Sequence, residues 1–136
     1  MSEPIQSTEA QAVPLAAAGL QTVATIGNYK AKLLCFHFDV GGQDLDDLNV
    51  YGRAHPNAQL VDYTPADWTV LESGGRVRRA VRSTTSSGAV VDGNLNAVTV
   101  LQNGYFEMDI DGLVEIVVKA SAAADNGLIT PRWSAQ

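Results

Sequence analysis

Residues 105–133, YFEMDIDGLVEIVVKASAAADNGLITPRW, decide how the chain is read. Successive side chains on a strand point to opposite faces, so strict alternation marks one dry face and one wet face. Phe106, Met108 and Ile110 fall on one side of the first run, with Tyr105, Glu107, Asp109 and Asp111 on the other. Val114, Ile116, Val118 and Ala120 repeat the pattern against Glu115 and Lys119. Asp111-Gly112 between the runs predicts a hairpin, because glycine tolerates the positive φ of tight hairpin turns. Asp125-Asn126-Gly127 predicts a second turn and a short closing strand. The stretch reads as the back half of an antiparallel β-domain with one buried face.

Working outward, the same grammar extends to about Thr22. Lys32 to Val40, KLLCFHFDV, is the most hydrophobic run. Leu34, Phe36, Phe38 and Val40 share one face and Leu33, Cys35 and His37 the other, which predicts a central strand or one covered on both sides. Further strands are expected at about 48–54, 59–63, 68–71, 76–82, 89–91 and 96–101, with Gly, Pro, Asn and Asp marking the turns between them. About eight to nine short strands, roughly 8 to 12 residues apart and without helical periodicity, predict an all-β chain. The expected fold is an antiparallel β-sandwich, jelly-roll or Ig-like, over residues 21–136. Pro131 inside the last strand predicts an edge position for it, because proline cannot donate to a ladder.

Residues 1–20 are a different kind of sequence, mixing Ser, Gln, Glu and Ala with Pro4 and Pro14. They read either as a disordered leader of the isolated chain or as an extended arm that orders on a neighbouring subunit. In the second case Ile5, Val13, Leu15 and Leu20 are its anchors.

Composition narrows the function classes. The chain has 136 residues, enough to bury a core as one domain. Its net charge of −6 argues against a general affinity for nucleic acid. The single Cys35 has no partner for an internal disulfide and sits in an apolar run, where an inert thiol is expected. No apolar run approaches the roughly 20 residues of a bilayer-spanning helix, and the N-terminus lacks a secretory pattern. A protein made in a cytoplasm, without membrane partner or cofactor, is the expectation.

Little points to catalysis. His37, between two phenylalanines, is expected to be a hydrogen-bonded core residue, and His55 before Pro56 an exposed turn residue. Neither has zinc-ligand spacing. Asp44, Asp46 and Asp47 look like solvated loop charges, lacking the fixed glycine and terminal glutamate of a calcium loop. No nucleophile elbow accompanies the histidines, so no enzyme is expected.

The basic strip Arg76, Arg78, Arg79 and Arg82 carries more information, since it gathers four of the nine basic residues. Alternation places Arg79 with Val77 and Val81, and Arg76, Arg78 and Arg82 with Ala80. Such a strip serves as a charged edge strand that resists aggregation or as a docking surface for an acidic partner protein. Without interleaved aromatics it is weak support for nucleic acid.

Several segments together resemble the small β-sandwich accessory proteins of tailed-bacteriophage virions. They are Asp67-Trp68-Thr69, the strand ending Met108-Asp109-Ile110-Asp111-Gly112-Leu113, Val114 to Ser121 with Ala122-Ala123-Ala124, and the close Leu128 to Ala135. The resemblance implies a non-enzymatic virion protein attached to a capsid shell or to the tail, and the leading expectation is a capsid decoration (cement) protein. Its partner would be the major capsid protein or another virion protein, and its place the outer surface of a head assembled in the host cytoplasm, with a homotrimer at capsid three-fold positions. The rival is a carbohydrate-binding or tail accessory module for host attachment, for which Tyr51, Tyr63, Trp68, Tyr105 and Trp133 are the candidate aromatics.

Overall fold

The computed structural model describes residues 6–9, 11–66, 68, 75–82 and 103–136. The described strands are β1 (Gln6–Glu9), β2 (Val13–Leu15), β3 (Gln21–Gly27), β4 (Leu33–Gly41), β5 (Leu45–Arg53), β6 (Val61–Asp62), β7 (Val77–Arg82), β8 (Asn103–Asp109), β9 (Glu115–Ala122) and β10 (Gly127–Ala135). They form two antiparallel sheets. The larger has the order β1-β10-β4-β8-β7, with β2 also paired to β10, and the smaller has the order β3-β9-β5-β6. The chain is the all-β sandwich that its alternation predicts. The strands expected at 89–91 and 96–101, and most of that at 68–71, lie outside the described residues.

The dry faces meet between the sheets. Leu34, Phe36 and Phe38 from β4, Phe106 and Met108 from β8, Ile116 and Val118 from β9 and Leu48 and Val50 from β5 are all buried there. Phe36 stacks on Phe106 at 5.1 Å between centroids. Trp68 closes the core against Phe106 at 5.6 Å. As expected, β4 is central, lying between β10 and β8.

Four local expectations need correction. Asp111-Gly112 is a tight turn, with Gly112 at φ 84° and the Leu113 amide donating to the Ile110 carbonyl at 3.0 Å. It is not a hairpin, because β8 lies in the larger sheet and β9 in the smaller. Ile110 and Leu113 are both buried, so the turn arches over the end of the core, a span of about 10 Å between packed sheets. The turn at Asn126, with φ 72°, likewise returns the chain from β9 to the other sheet.

β7 carries a bulge between Val77 and Arg79, where its register on β8 shifts. One extra residue reverses the alternation, so Val77 and Ala80 both face the core while Arg78 and Arg79 are both exposed. His37 is exposed rather than buried, because the second face of β4 has no layer of described chain over it.

Pro131 does not put β10 at an edge, since β4 flanks it on one side and β1 and β2 on the other. Gln136 and Leu33 exchange both backbone hydrogen bonds. Backbone groups alternate sides along an antiparallel strand, so Pro131 directs its missing donor away from β4. There the pairing of β1 stops at Glu9 with Arg132, and that of β2 begins at Val13 with Ile129. The proline is tolerated because it withdraws no donor from the β4 ladder.

Candidate interaction surfaces

The arm residues do different work from one another. Leu15 is 3% exposed and belongs to the chain's own core, and Val13 packs against that core from the edge. Leu20 is 40% exposed, and Ile5 lies outside the described residues. β1 and β2 run along β10 of the same chain, and the end of β2 is tied across the sandwich by the Ala122 amide donating to the Ala16 carbonyl at 3.2 Å.

The basic strip is split by the bulge. Arg76 is half-buried, its Nη1 3.2 Å from the Asp109 carbonyl and 3.1 Å from that of Asp111. Its guanidinium covers the ring of Tyr63 at 5.0 Å. It therefore pins the β8–β9 arch to the segment after β6. Arg78 is exposed and pairs with Asp109 at 3.5 Å. Arg79 is exposed and stands opposite Glu107 in register. Arg82 ends β7, and its side chain lies outside the described residues.

A third surface was not anticipated. Pairing of β4 with β8 and β10 brings Cys35 beside Glu107 and Ser134, and His37 beside Tyr105 and Arg132. Thr8, Cys35, His37, Tyr105, Arg132, Trp133 and Ser134 line a shallow depression of about 550 Å³ on the outer face of the larger sheet. The Tyr105 hydroxyl donates to Glu107 Oε1 at 2.6 Å, and the His37 ring lies 4.5 Å from that of Tyr105. Arg132 pairs with Asp39 at the rim. Burial raises the Tyr105 pKa well above its ordinary value, with the Cys35 thiol and the Glu107 carboxylate adding to the effect. The phenol is held as a neutral donor. Alternation within β8 assigned Tyr105 and Glu107 to a wet face, but the second face of β4 was expected to be covered, and the adjacency of the two faces depends on strand order.

Of the five candidate aromatics, Tyr105 lines this depression, while Trp133 borders it with its ring stacked on Phe36 at 6.1 Å and packed against the core. Trp68 is core, Tyr63 lies under Arg76, and Tyr51 is half-buried with Lys119 above it at 5.4 Å. Among the described residues no group of three or more His, Cys, Asp or Glu could hold a metal ion. No described helix is long and apolar enough to cross a membrane.

No protein-family profile matches the chain, and no curated protein matches it in sequence. Among solved structures it is similar to the SPBc2 prophage-derived protein YomS, with a TM-score of 0.54 and 12% identity over 98% of this chain and 97% of that one. The likeness is one of fold. It runs the length of both chains, so the sandwich described here is also that of a prophage-derived protein.

Proposed function

We propose that the chain is a structural component of a tailed-phage particle, a non-enzymatic decoration protein that binds the outer surface of the head and bridges capsomers. The observation that carries this reading is the end-to-end likeness in fold to a prophage-derived protein. The sandwich suits the role, since its cross-strand hydrogen bonds make a rigid block and its outer sheet faces carry exposed charged side chains. The partner is the major capsid protein or another virion protein, and a lattice of such partners supplies avidity even where each contact is weak. Among the described side chains, the exposed Arg78 and Arg79 are the part of the basic strip that faces outward for an acidic partner. The test is co-sedimentation of the purified protein with capsids that lack it. Binding that saturates at a fixed number of copies per capsomer supports the role, and its absence overturns it.

A second reading is favoured by one observation, the depression where His37, Tyr105 and Arg132 converge. Aromatic faces beside hydrogen-bonding side chains suit a sugar ring, as a host-attachment module on the tail would need. A glycan array distinguishes the two. Binding that is lost in Tyr105→Ala favours attachment, and no binding at high protein concentration removes this reading.

A further inference from the structure

Strand direction sorts the charges of the sandwich to its two ends. At one end β2 runs into β3, β4 turns into β5, and β9 turns into β10. The connecting residues 16–20, 41–44 and 123–126, with the first residues of β5, hold Asp44, Asp46, Asp47 and Asp125 and no Lys or Arg, and Arg82, opposite Gly104, is the one cation of the described strands that ends there. Asp46 and Asp47, expected in a loop, are exposed at the start of β5, where the register on β9 shifts between Leu45 and Asp47.

At the other end β3 turns into β4 through residues 28–32, which carry Lys30 and Lys32 and no carboxylate. Arg76 and Arg78 lie beside them, with Asp109 paired to Arg78. Asp111 is exposed in the same region and so is Asp62 beside Val61, and Arg53 is paired with Glu115; among the described residues Lys30 and Lys32 therefore leave that end a small positive surplus. β4, which joins the ends, has nine residues, placing them about 30 Å apart. That separation is about three Debye lengths at ordinary salt, so the two clusters do not neutralise each other within one molecule.

The exposed apolar side chains follow the same division. Among the described residues, the large exposed ones are Leu20 and Leu128 at the acidic end, and Tyr29 and Val61 at or near the basic end. Tyr29 is 86% exposed and borders a hollow of about 580 Å³ with Lys30, Lys32, Asp111, Gly112 and Gln136. An exposed aromatic flanked by two lysines, set against carboxylates beside leucines, has the make-up of an apolar contact with a charged rim.

We infer that the two ends are complementary halves of a head-to-tail contact between copies of this chain. Each copy would seat its Tyr29–Lys32 turn on the Asp44–Asp47 end of the next. Such a contact uses different patches on the two partners, so it builds a ring if the rotation closes and a stack if it does not. The inference does not depend on capsid binding, and either can fail alone.

Sedimentation velocity of the full chain tests it, at ionic strengths of about 10 mM and about 150 mM, where the Debye length falls from roughly 30 Å to 8 Å. The wild type is expected to associate with rising concentration at low salt and to weaken about tenfold or more at the higher salt. Lys30→Glu with Lys32→Glu is expected to stay monomeric, and so is Asp46→Lys with Asp47→Lys, while an equimolar mixture of the two associates. The second variant separates this contact from general repulsion. It brings the net charge of −6 closer to zero, so non-specific effects would increase its association. A wild type that stays monomeric at low salt overturns the inference, and so does an acidic-end variant that associates as well as or better than wild type. Circular-dichroism melts establish that the exposed substitutions leave the fold intact.

Discussion

The side-chain amide of Asn28 donates to the carbonyl of Leu113 at 2.9 Å, across 85 residues of sequence. The same nitrogen lies 3.2 Å from the Ile110 carbonyl and 3.0 Å from that of Ala31, while Oδ1 accepts from the Ala31 amide at 3.0 Å. One side chain thus satisfies backbone groups of both the β3–β4 turn and the β8–β9 arch, where neither pairs within a ladder. Leaving partly buried carbonyls unpaired costs about 1–3 kcal/mol. Asn28→Ala should lower the unfolding free energy by about that amount, read as a lower urea midpoint with an unchanged slope. Asn28→Asp should be at least as damaging, because a carboxylate then faces carbonyl oxygens. A midpoint within error of wild type for both would remove the pin from the account.

Gly104 and Phe38 are direct partners across β4 and β8, and the Phe38 ring occupies the place of the absent side chain. A Cβ on Gly104 would fall 2.3 Å from the ring's Cζ, and Phe38 is itself only 1% exposed. The ring has no free direction to yield, so Gly104→Ala is expected to cost about 1–3 kcal/mol through overpacking. Phe38→Leu alone leaves a gap. Combined with Gly104→Ala, it should cost less than the sum of the two single changes, since neighbours in contact are not additive. Strict additivity in denaturant melts would contradict the contact.

How much of this was legible can be argued from the opening stretch. The dry faces of β8 and β9 were read from alternation, and Phe106, Met108, Ile116 and Val118 are buried as expected. The hairpin was the error, and the sequence held the means to reject it. A two-residue turn at Asp111-Gly112 would set Met108 opposite Glu115 and Glu107 opposite Ile116, pairing dry with wet all along the ladder. The observed partners obey the rule, Met108 with Leu34 and Val77, and Ile116 with Ile26 and Gly52. Turn chemistry announces that the chain reverses but not which sheet it enters. The bulge in β7 was illegible for a related reason, since Arg78-Arg79 gives no sign of an extra residue until Val77 and Ala80 are both buried. The depression at His37 and Tyr105 required the strand order, which local sequence does not contain.

Tyr105 should titrate late. Burial, the Cys35 thiol and the Glu107 carboxylate all disfavour the phenolate, raising its pKa above the ordinary 10.0. In the unfolded chain the phenol ionises near its ordinary value while the folded protein keeps its proton. Over that interval the unfolded state binds fewer protons, so stability falls as pH rises above about 10 and is unaffected by this group below it. The difference in tyrosinate absorbance between wild type and Tyr105→Phe should therefore give a midpoint above 10.0. Glu107→Gln should bring that midpoint down. A difference titration centred at or below the ordinary value would show that the phenol is not held in this way.

The arginine strip gives the last prediction, because the structure divides residues that sequence grouped. Arg76 joins the Asp109 and Asp111 carbonyls to the ring of Tyr63, while Arg78 and Arg79 reach outward beyond the bulge. Removing Arg76 strips a charged donor from two carbonyls and uncovers an aromatic face. Arg76→Ala should cost about 1–3 kcal/mol and should weaken capsid binding only through loss of folded protein. Exposed substitutions away from special features stay within about 0.5 kcal/mol, so Arg78→Ala with Arg79→Ala should leave the melt almost unchanged. The Arg78–Asp109 pair is too exposed to alter that expectation. If the exposed pair docks on an acidic partner, co-sedimentation of this double variant should fall several-fold and lose most of its salt dependence. Capsid binding that survives the double change with its salt dependence intact would place the docking surface elsewhere on the sandwich, while a melt that collapses would show that the outward arginines support the fold.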